Sequence, residues 1–478
     1  MRKLNHPQSL LHLLISAVVL YSACSTSFAQ SKASQIDSLM IKLYNRGQFN
    51  GSVLVAEHGD VIYKKGFGKA NFKESLDYTP ATPSYLASLT KQFTAMAIMM
   101  LAENKKLSYE DKLSKYFPEF PPYAVKITIR NLLNHTSGIP DYFSLGIVHP
   151  GLRNEEVLKA LVKIDSLNFQ PGSKFEYSNS GYVLLAMIIE KVSGLPFNIF
   201  LKINIFDPLK MDNTVVLDTS NPKIKNKALG YDVFGNDYDN DILTMGDGGI
   251  YSTVEDLYKW DQALYTEKLV KQSTLDEAFK PALLIDGDTS YYGFGWGIID
   301  DHGKKIITHA GEFNGFNTII LRRLTDHNTI IFLTNIGGTK RKEIRDALYD
   351  ILEGKTYTLP KLSVAKIMYK KLSESDIASV KQFFDSVKNN NDPIYEINER
   401  EINLLGYQLL TENKINEAIE VFKKNTETFP SSSNTFESLG EAYMKEGNNE
   451  LAINSFKKAL EIDPKNPDAA QLLKQLVK

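Results

Sequence analysis

The sequence predicts a mixed α/β (α+β) body, an antiparallel sheet flanked by helices, followed by an all-α tail. Three observations carry this. Alternating apolar residues near the start, Val53 and Val55 and then Val61 and Tyr63, describe strands. Stretches of helical spacing fill the middle, and strand-like runs return at 305–308, 317–321 and 329–333. A sheet built from both ends of the sequence satisfies that order. Beyond a linker, from residue 395, a repeating helical pattern takes over.

Taken in order, the first residues read as a leader. Arg2 and Lys3 are basic, Leu10 to Cys24 is mostly apolar, and Ser27-Phe28-Ala29 offers small residues for cleavage before Gln30. The apolar run is too short for a membrane span. The expectation is a signal peptide over 1–29 and a periplasmic or secreted chain. The alternative is a lipoprotein anchored at Cys24, for which Tyr21 stands where such signals carry Leu. Cys24 is the only cysteine. Cleavage after Ala29 leaves a chain without disulfides, thiol chemistry or Cys-ligated zinc.

The body is expected over 30–358. His58-Gly59-Asp60 turns a hairpin between its first strands. Phe93, Met96, Ala97, Met100 and Leu101 give a helix over 90–103. A second apolar helix, 183–192, is closed by Gly194 and Pro196. Residues 359–394 read as a linker with a degenerate helix at 376–387, which could supply packing that two clear repeats lack, and a hinge at Lys388 to Pro393. In 395–478, Leu405-Gly406 matches Leu439-Gly440, Ala418-Ile419 matches Ala452-Ile453, Phe422 matches Phe456 and Pro430 matches Pro464, each 34 residues apart. That period resembles the tetratricopeptide repeat and implies a peptide or protein partner, or a cap on the body.

Composition narrows the function. The chain has 478 residues, 55 Lys plus Arg and 57 Asp plus Glu, so its net charge is -2. That balance gives no support for a nucleic-acid partner. No cofactor is expected. The eight histidines are scattered, and the Asp237, Asp239, Asp241 run has Ile242 where a calcium loop needs glycine. No phosphate-binding glycine loop is present.

The chemistry starts at Ser88-Leu89-Thr90-Lys91. This spacing puts a hydroxyl and an amine on one helix face. Serine needs a neighbour to take its proton, and a buried lysine is biased toward the neutral amine that can do so. Matches at Ser220/Lys223, Ser363/Lys366 and Ser455/Lys458 lack the long apolar helix that follows Ser88. Tyr177-Ser178-Asn179 offers a phenol and an amide to relay a proton and hold a substrate; Tyr238 to Asn240 lies in a polar turn. His309-Ala310-Gly311 ends a strand, where glycine would admit substrate to the strand edge. The N–H of Glu312 would pair with that of Ser88 as an oxyanion hole. His149-Pro150-Gly151 sits in a loop. His135 is expected to serve structure; Arg322 and Arg323 could supply a cation, but the expectation is that they lie at the surface.

Together, SLTK, YSN and HAG in this order resemble the three active-site motifs of serine β-lactamases and penicillin-binding D,D-peptidases. The likeness is greatest to the class C-like branch, which includes esterases and D-amino-acid peptidases. SVLVAEHGDVIYKKGFGKAN, IRNLLNHTSGIPDY, GDGGIYSTVEDLYKW and YGFGWGI extend it over about 38–340. The resemblance implies a transpeptidase-type fold with an all-helical domain. It implies acylation of Ser88 with Lys91 as base and Tyr177 as proton shuttle, and it leaves open which of the two is the main base. Asn179, His309, Gly311 and Glu312 would contact substrate. An ester, amide, peptide or β-lactam would be cleaved; the alternative is a slowly acylating receptor for cell-wall fragments. The chain departs from the family at His309-Ala310, where many members carry Lys-Thr, so the permanent cation that suits a substrate carboxylate is missing.

Overall fold

The computed structural model describes residues 32–218, 224–238 and 242–477. The expected leader with Cys24, the Ser220/Lys223 pair, Asp239, Asn240 and Asp241 lie outside the described residues. The chain forms two compact units, the first ending at Leu359 and the second beginning at Pro360.

In the first unit, helix α1 (32–45) precedes a hairpin of β1 (Gly51–Glu57) and β2 (Asp60–Phe67). Helices α2 (Thr90–Glu103), α3 (Asn179–Ser193) and α4 (Val254–Ala263) follow, with shorter helices between them. A meander closes the sheet: β3 (Gly297–Asp301), β4 (Lys304–Phe313), β5 (Phe316–Arg323) and β6 (Asn328–Thr334), then α5 (Arg341–Leu352). The order is β2-β1-β6-β5-β4-β3, antiparallel throughout. The expected splice of the two chain ends is the β1–β6 ladder, with Gly51 opposite Thr334 and Val55 opposite Ile330.

Both faces of this sheet are covered. Val53, Val55, Ile319, Phe332 and Ile330 pack with Ile36, Leu43, Ile344 and Leu348 from α1 and α5. Leu54, Ala56, Ile320 and Ile331 face the other layer, with Phe93, Met96 and Trp260. Two-sided burial explains why β5 and β6 are wholly buried, whereas the edge strand β2 is largely exposed. Helix α2 is apolar nearly all round because it runs through the core.

Arg322 and Arg323 correct the surface expectation. Both lie in β5 and are buried. The Arg322 guanidinium is paired with Asp261 and sits 4.5 Å from the centroid of the Tyr265 ring; Arg323 is paired with Glu353. In a strand covered on both faces, such charges persist only with fixed counter-charges.

The second unit is helical. The segment read as a linker forms α6 (Val364–Leu372) and α7 (Ile377–Asn390), capped by the side chains of Ser363 and Asp376. The expected hinge is the end of α7, closed by Asn391 at φ 47°. Val364, Met368, Val380 and Phe384 are buried, so these helices carry core rather than tether domains. Helices α8 (Glu399–Thr411), α9 (Ile415–Thr428), α10 (Ser433–Glu446), α11 (Asn449–Ile462) and α12 (Pro467–Leu476) follow the repeat. A Cβ on Gly406 would sit 2.3 Å from the Phe422 ring, and one on Gly440 2.6 Å from the Phe456 ring, so each glycine lets its helix pair close. Among the described residues no single helix is long and apolar enough to cross a membrane.

Candidate active site

The nucleophile candidate stands on strained backbone. Ala87 has φ 49°, a left-handed conformation that costs a residue with a Cβ about 1 kcal/mol or more. It turns the chain so that Ser88 enters α2 at intermediate exposure while Leu86 and Leu89 are buried. One helical step on, Lys91 is fully buried. Its Nζ donates to Ser88 Oγ at 3.1 Å, Asn179 Oδ1 at 2.8 Å and the Asp247 carbonyl at 2.9 Å. It also lies 4.8 Å from the Tyr177 ring centroid. Ser88, Lys91, Tyr177 and Asn179 therefore share one locus.

Two residues missed by the sequence reading shape this locus. Asp141 Oδ2 accepts from the Asn179 backbone N–H at 2.7 Å and from its Nδ2 at 2.9 Å, which aims Oδ1 at Lys91. Asp247 lies in a tight turn. Gly246, at φ 102°, would place a Cβ 2.4 Å from the Tyr182 carbonyl oxygen, so only glycine brings the Asp247 carbonyl to Lys91. The stretches IPDY and GDGG were legible as motifs, but nothing local assigned these aspartates a task.

The Tyr177 hydroxyl is buried and has no hydrogen-bond partner among the described residues. Its ring stacks on His135, with centroids 4.2 Å apart. His135 Nδ1 accepts from the Ser178 N–H at 3.1 Å, so its proton is on Nε2. Burial first, and the charge of Lys91 second, hold this imidazole well below the usual histidine range. The expected structural role of His135 is thereby given content: it props the Tyr177–Asn179 turn as a neutral ring.

His309 is buried on β4. Its Nδ1–H donates to the Ala310 carbonyl at 2.8 Å, which leaves Nε2 to accept from the Tyr292 hydroxyl at 2.8 Å. Burial first, then Lys91, lowers its pKa to about 3. It is neutral with both nitrogens engaged, so it has no free donor for a substrate. Tyr292, also missed, spans His309 and His135, with ring centroids 5.7 Å and 4.7 Å away.

Gly311 needs correction in its reason. A Cβ there would lie 2.3 Å from Leu86 O, 2.4 Å from Thr318 Oγ1 and 3.1 Å from Ser88 N. Among the described residues, what approaches closely is the chain's own Leu86–Ser88 segment. Ser88 N thus stands beside the strand, and Ser88 and Glu312 line the same cavity. Strand β3 pairs with β4 only as far as Thr308, so among the described residues no strand pairs with the stretch from His309 onward on that side. The Glu312 side chain is exposed and paired with Arg341 at 2.7 Å, and Arg341 also donates to the Gly311 carbonyl.

A cavity of about 70 Å³ opens on Ser88, Asn179 and Asp247, walled by Tyr85, Phe143 and Phe313. The arrangement suits acyl transfer: a partly exposed hydroxyl, a buried lysine within hydrogen-bond distance of it and a phenol ring at one point.

Comparison with known proteins agrees. The Beta-lactamase family model matches residues 36–355, and a TPR repeat model matches 440–470. "Penicillin-binding protein 4*" of Bacillus subtilis is 37% identical over 356 residues, covering 69% of this chain and 78% of its own. "Putative penicillin-binding protein PbpX" of the same organism is 32% identical, covering 64% of this chain and 75% of its own. Among solved structures, the octameric penicillin-binding protein homologue of Pyrococcus abyssi superposes with TM-score 0.61 at 28% identity, covering 68% of this chain and 78% of its own. D-amino acid amidase of Ochrobactrum anthropi gives 0.58 at 25%, covering 67% and 99%. Fold, motif order and sequence likeness converge: the chain belongs to the beta-lactamase family of serine hydrolases, alongside penicillin-binding proteins, and carries a tetratricopeptide-repeat segment at its C-terminal end.

Proposed function

We propose that this protein is an exported serine hydrolase that cleaves an ester, amide or peptide bond through an acyl-enzyme on Ser88. The observation that carries it is the convergence of Lys91 Nζ on Ser88 Oγ, Asn179 Oδ1 and the Asp247 carbonyl. A neutral amine has two N–H donors and one lone pair. In its amine form Lys91 would keep its two donors on the Asn179 and Asp247 carbonyl oxygens and turn its lone pair to the Ser88 proton. Ser88 Oγ then bonds to the scissile carbonyl carbon as its proton passes to Lys91. The carbonyl oxygen becomes an oxyanion held by the N–H groups of Ser88 and Glu312. The tetrahedral species collapses, and the leaving group departs with a proton delivered through Tyr177. Water repeats the sequence in reverse: Tyr177 takes its proton while passing its own to Lys91, its oxygen bonds to the acyl carbon, and Ser88 leaves as Lys91 returns a proton to Oγ.

The neutral His309 adds a preference. Without a permanent cation at this position, penicillins and D-Ala-D-Ala termini lose a partner for their carboxylate, and other esters and peptides gain relative to them. Tyr177, with no competing hydrogen bond, is the better candidate for the mobile proton in deacylation.

Labelling with a fluorophosphonate and with a fluorescent penicillin tests the reading. Rapid labelling by the first, little by the second, and loss of both in Ser88→Ala are expected. Unchanged labelling of that variant would reject Ser88. Stable labelling by penicillin without turnover would favour the receptor alternative, which the names of the Bacillus relatives support. The mature N-terminus, Gln30 or a lipidated Cys24, tests export. A peptide or protein partner for the repeats is part of the same proposal.

A further inference from the structure

The carboxyl of Asp247 is a group the mechanism does not use. Only its backbone carbonyl holds Lys91. Its Oδ2 accepts from the Tyr142 hydroxyl at 2.8 Å. Its Oδ1 is buried and has no hydrogen-bond partner among the described residues. An unpartnered buried carboxylate oxygen is costly unless something binds there. The residue is 5% exposed and lines the same cavity as Ser88.

The surroundings favour a cation as the missing partner. Tyr85, Phe143 and Phe313 wall the cavity, and aromatic faces attract ammonium groups. Phe143 stacks on Tyr142 with centroids 4.5 Å apart, so the carboxyl and one wall are fixed together. Burial pushes the Asp247 carboxyl up, against the opposing pull of Lys91 and the Tyr142 hydroxyl. An incoming cation would reverse that strain. A carboxylate ligand would instead meet Asp247, with His309 neutral and Arg341 already holding Glu312 and the Gly311 carbonyl.

We propose that Asp247 is the specificity determinant of this site: its carboxylate receives an ammonium carried beside the scissile carbonyl, so the preferred substrates are α-amino-acyl esters, amides and peptides with a free amino end. The inference rests on Ser88 as nucleophile. The reach is short, since Ser88 and Asp247 line the same cavity of only about 70 Å³. An amine one carbon from the attacked centre matches it.

The test compares phenylalanine methyl ester, in both D and L forms, with its N-acetyl counterpart. The wild type should favour the free amine by at least about tenfold in kcat/KM, and Asp247→Asn should bring the ratio close to unity. Asn keeps the acceptor for Tyr142 and removes only the charge. No free-amine preference in the wild type, or an equal loss on both esters in the variant, overturns the proposal. Should the variant fail to fold, the wild type decides alone: phenethylammonium should slow fluorophosphonate labelling more than 2-phenylethanol does, and equal protection overturns the proposal. Labelling that survives Ser88→Ala would strike the nucleophile assignment instead, so the two failures are distinguishable.

Discussion

Replacing Gly311 by Ala is the sharpest probe of the geometry. Gly311 lies in an ordinary strand, so the backbone tolerates a side chain and only contact is at issue. The new methyl would stand 2.3 Å from Leu86 O and 2.4 Å from Thr318 Oγ1. Comfortable carbon contacts lie near 3.5 Å, so the strand and the Leu86–Ser88 segment must part by about 1 Å. Overpacking of this kind costs about 1–3 kcal/mol of stability. The catalytic loss should be larger, because a displacement of about 1 Å between reacting groups costs on the order of 10²-fold. Ester turnover and fluorophosphonate labelling rate, measured beside a urea unfolding curve, separate the two effects. Expected are a folded protein and a fall in kcat/KM of about 10²-fold. A variant within about threefold of wild type would show that β4 does not brace the nucleophile, and the oxyanion pairing of Ser88 and Glu312 would fall with it.

Further outcomes follow from the same contacts. Tyr177→Phe removes a buried hydroxyl that has no partner among the described residues, so stability should hold or rise while kcat drops by about 10²–10⁴-fold; a stability loss without an activity loss would refute the assigned role. Arg322→Met strands the buried Asp261 carboxylate and should cost about 3–5 kcal/mol in denaturant unfolding, a loss that pairing it with Asp261→Asn should partly restore. His309 stays neutral in the folded chain down to about 3, against 6.5 when unfolded. Between those values the unfolded state binds the extra proton, so stability falls as pH drops below 6.5, by up to roughly 1.4 kcal/mol per pH unit for this group. His309→Gln should flatten that slope in urea titrations from pH 4 to 7, and an unchanged slope would contradict the burial argument. Gly406→Ala, driven into the Phe422 ring, should destabilise the repeat unit in a protease-susceptibility assay while fluorophosphonate labelling of Ser88 persists.

What could be read from the sequence was what is local. The Ser88–Lys91 pair is one helical step, α2 is apolar on nearly every face, and the repeat helices contact their chain neighbours, so each left a pattern in the letters. The order of the three motifs even supplied the common pocket. What could not be read depends on approach from afar. Asp141 and Asp247 matter because distant segments place them beside Asn179 and Lys91. Tyr292 matters because it touches two histidines from different elements. Arg322 and Arg323 were assigned to the surface on charge alone, but their counter-ions come from α4 and from just beyond α5. Of the two helices over 364–390, the second was legible as packing for the repeats, whereas the first was missed within the linker although Val364 and Met368 are buried.

The splice that closes the sheet also sets a clock. Thr318 Oγ1 grips the Leu86 carbonyl across 232 positions of chain, and β1 waits for β6 before its second edge is paired. A polypeptide emerging from its amino end therefore carries Ser88 long before β4 and β5 have been made. If Ser88 acts as proposed, chains that stop short of those strands would meet a fluorophosphonate no faster than Ser88→Ala does.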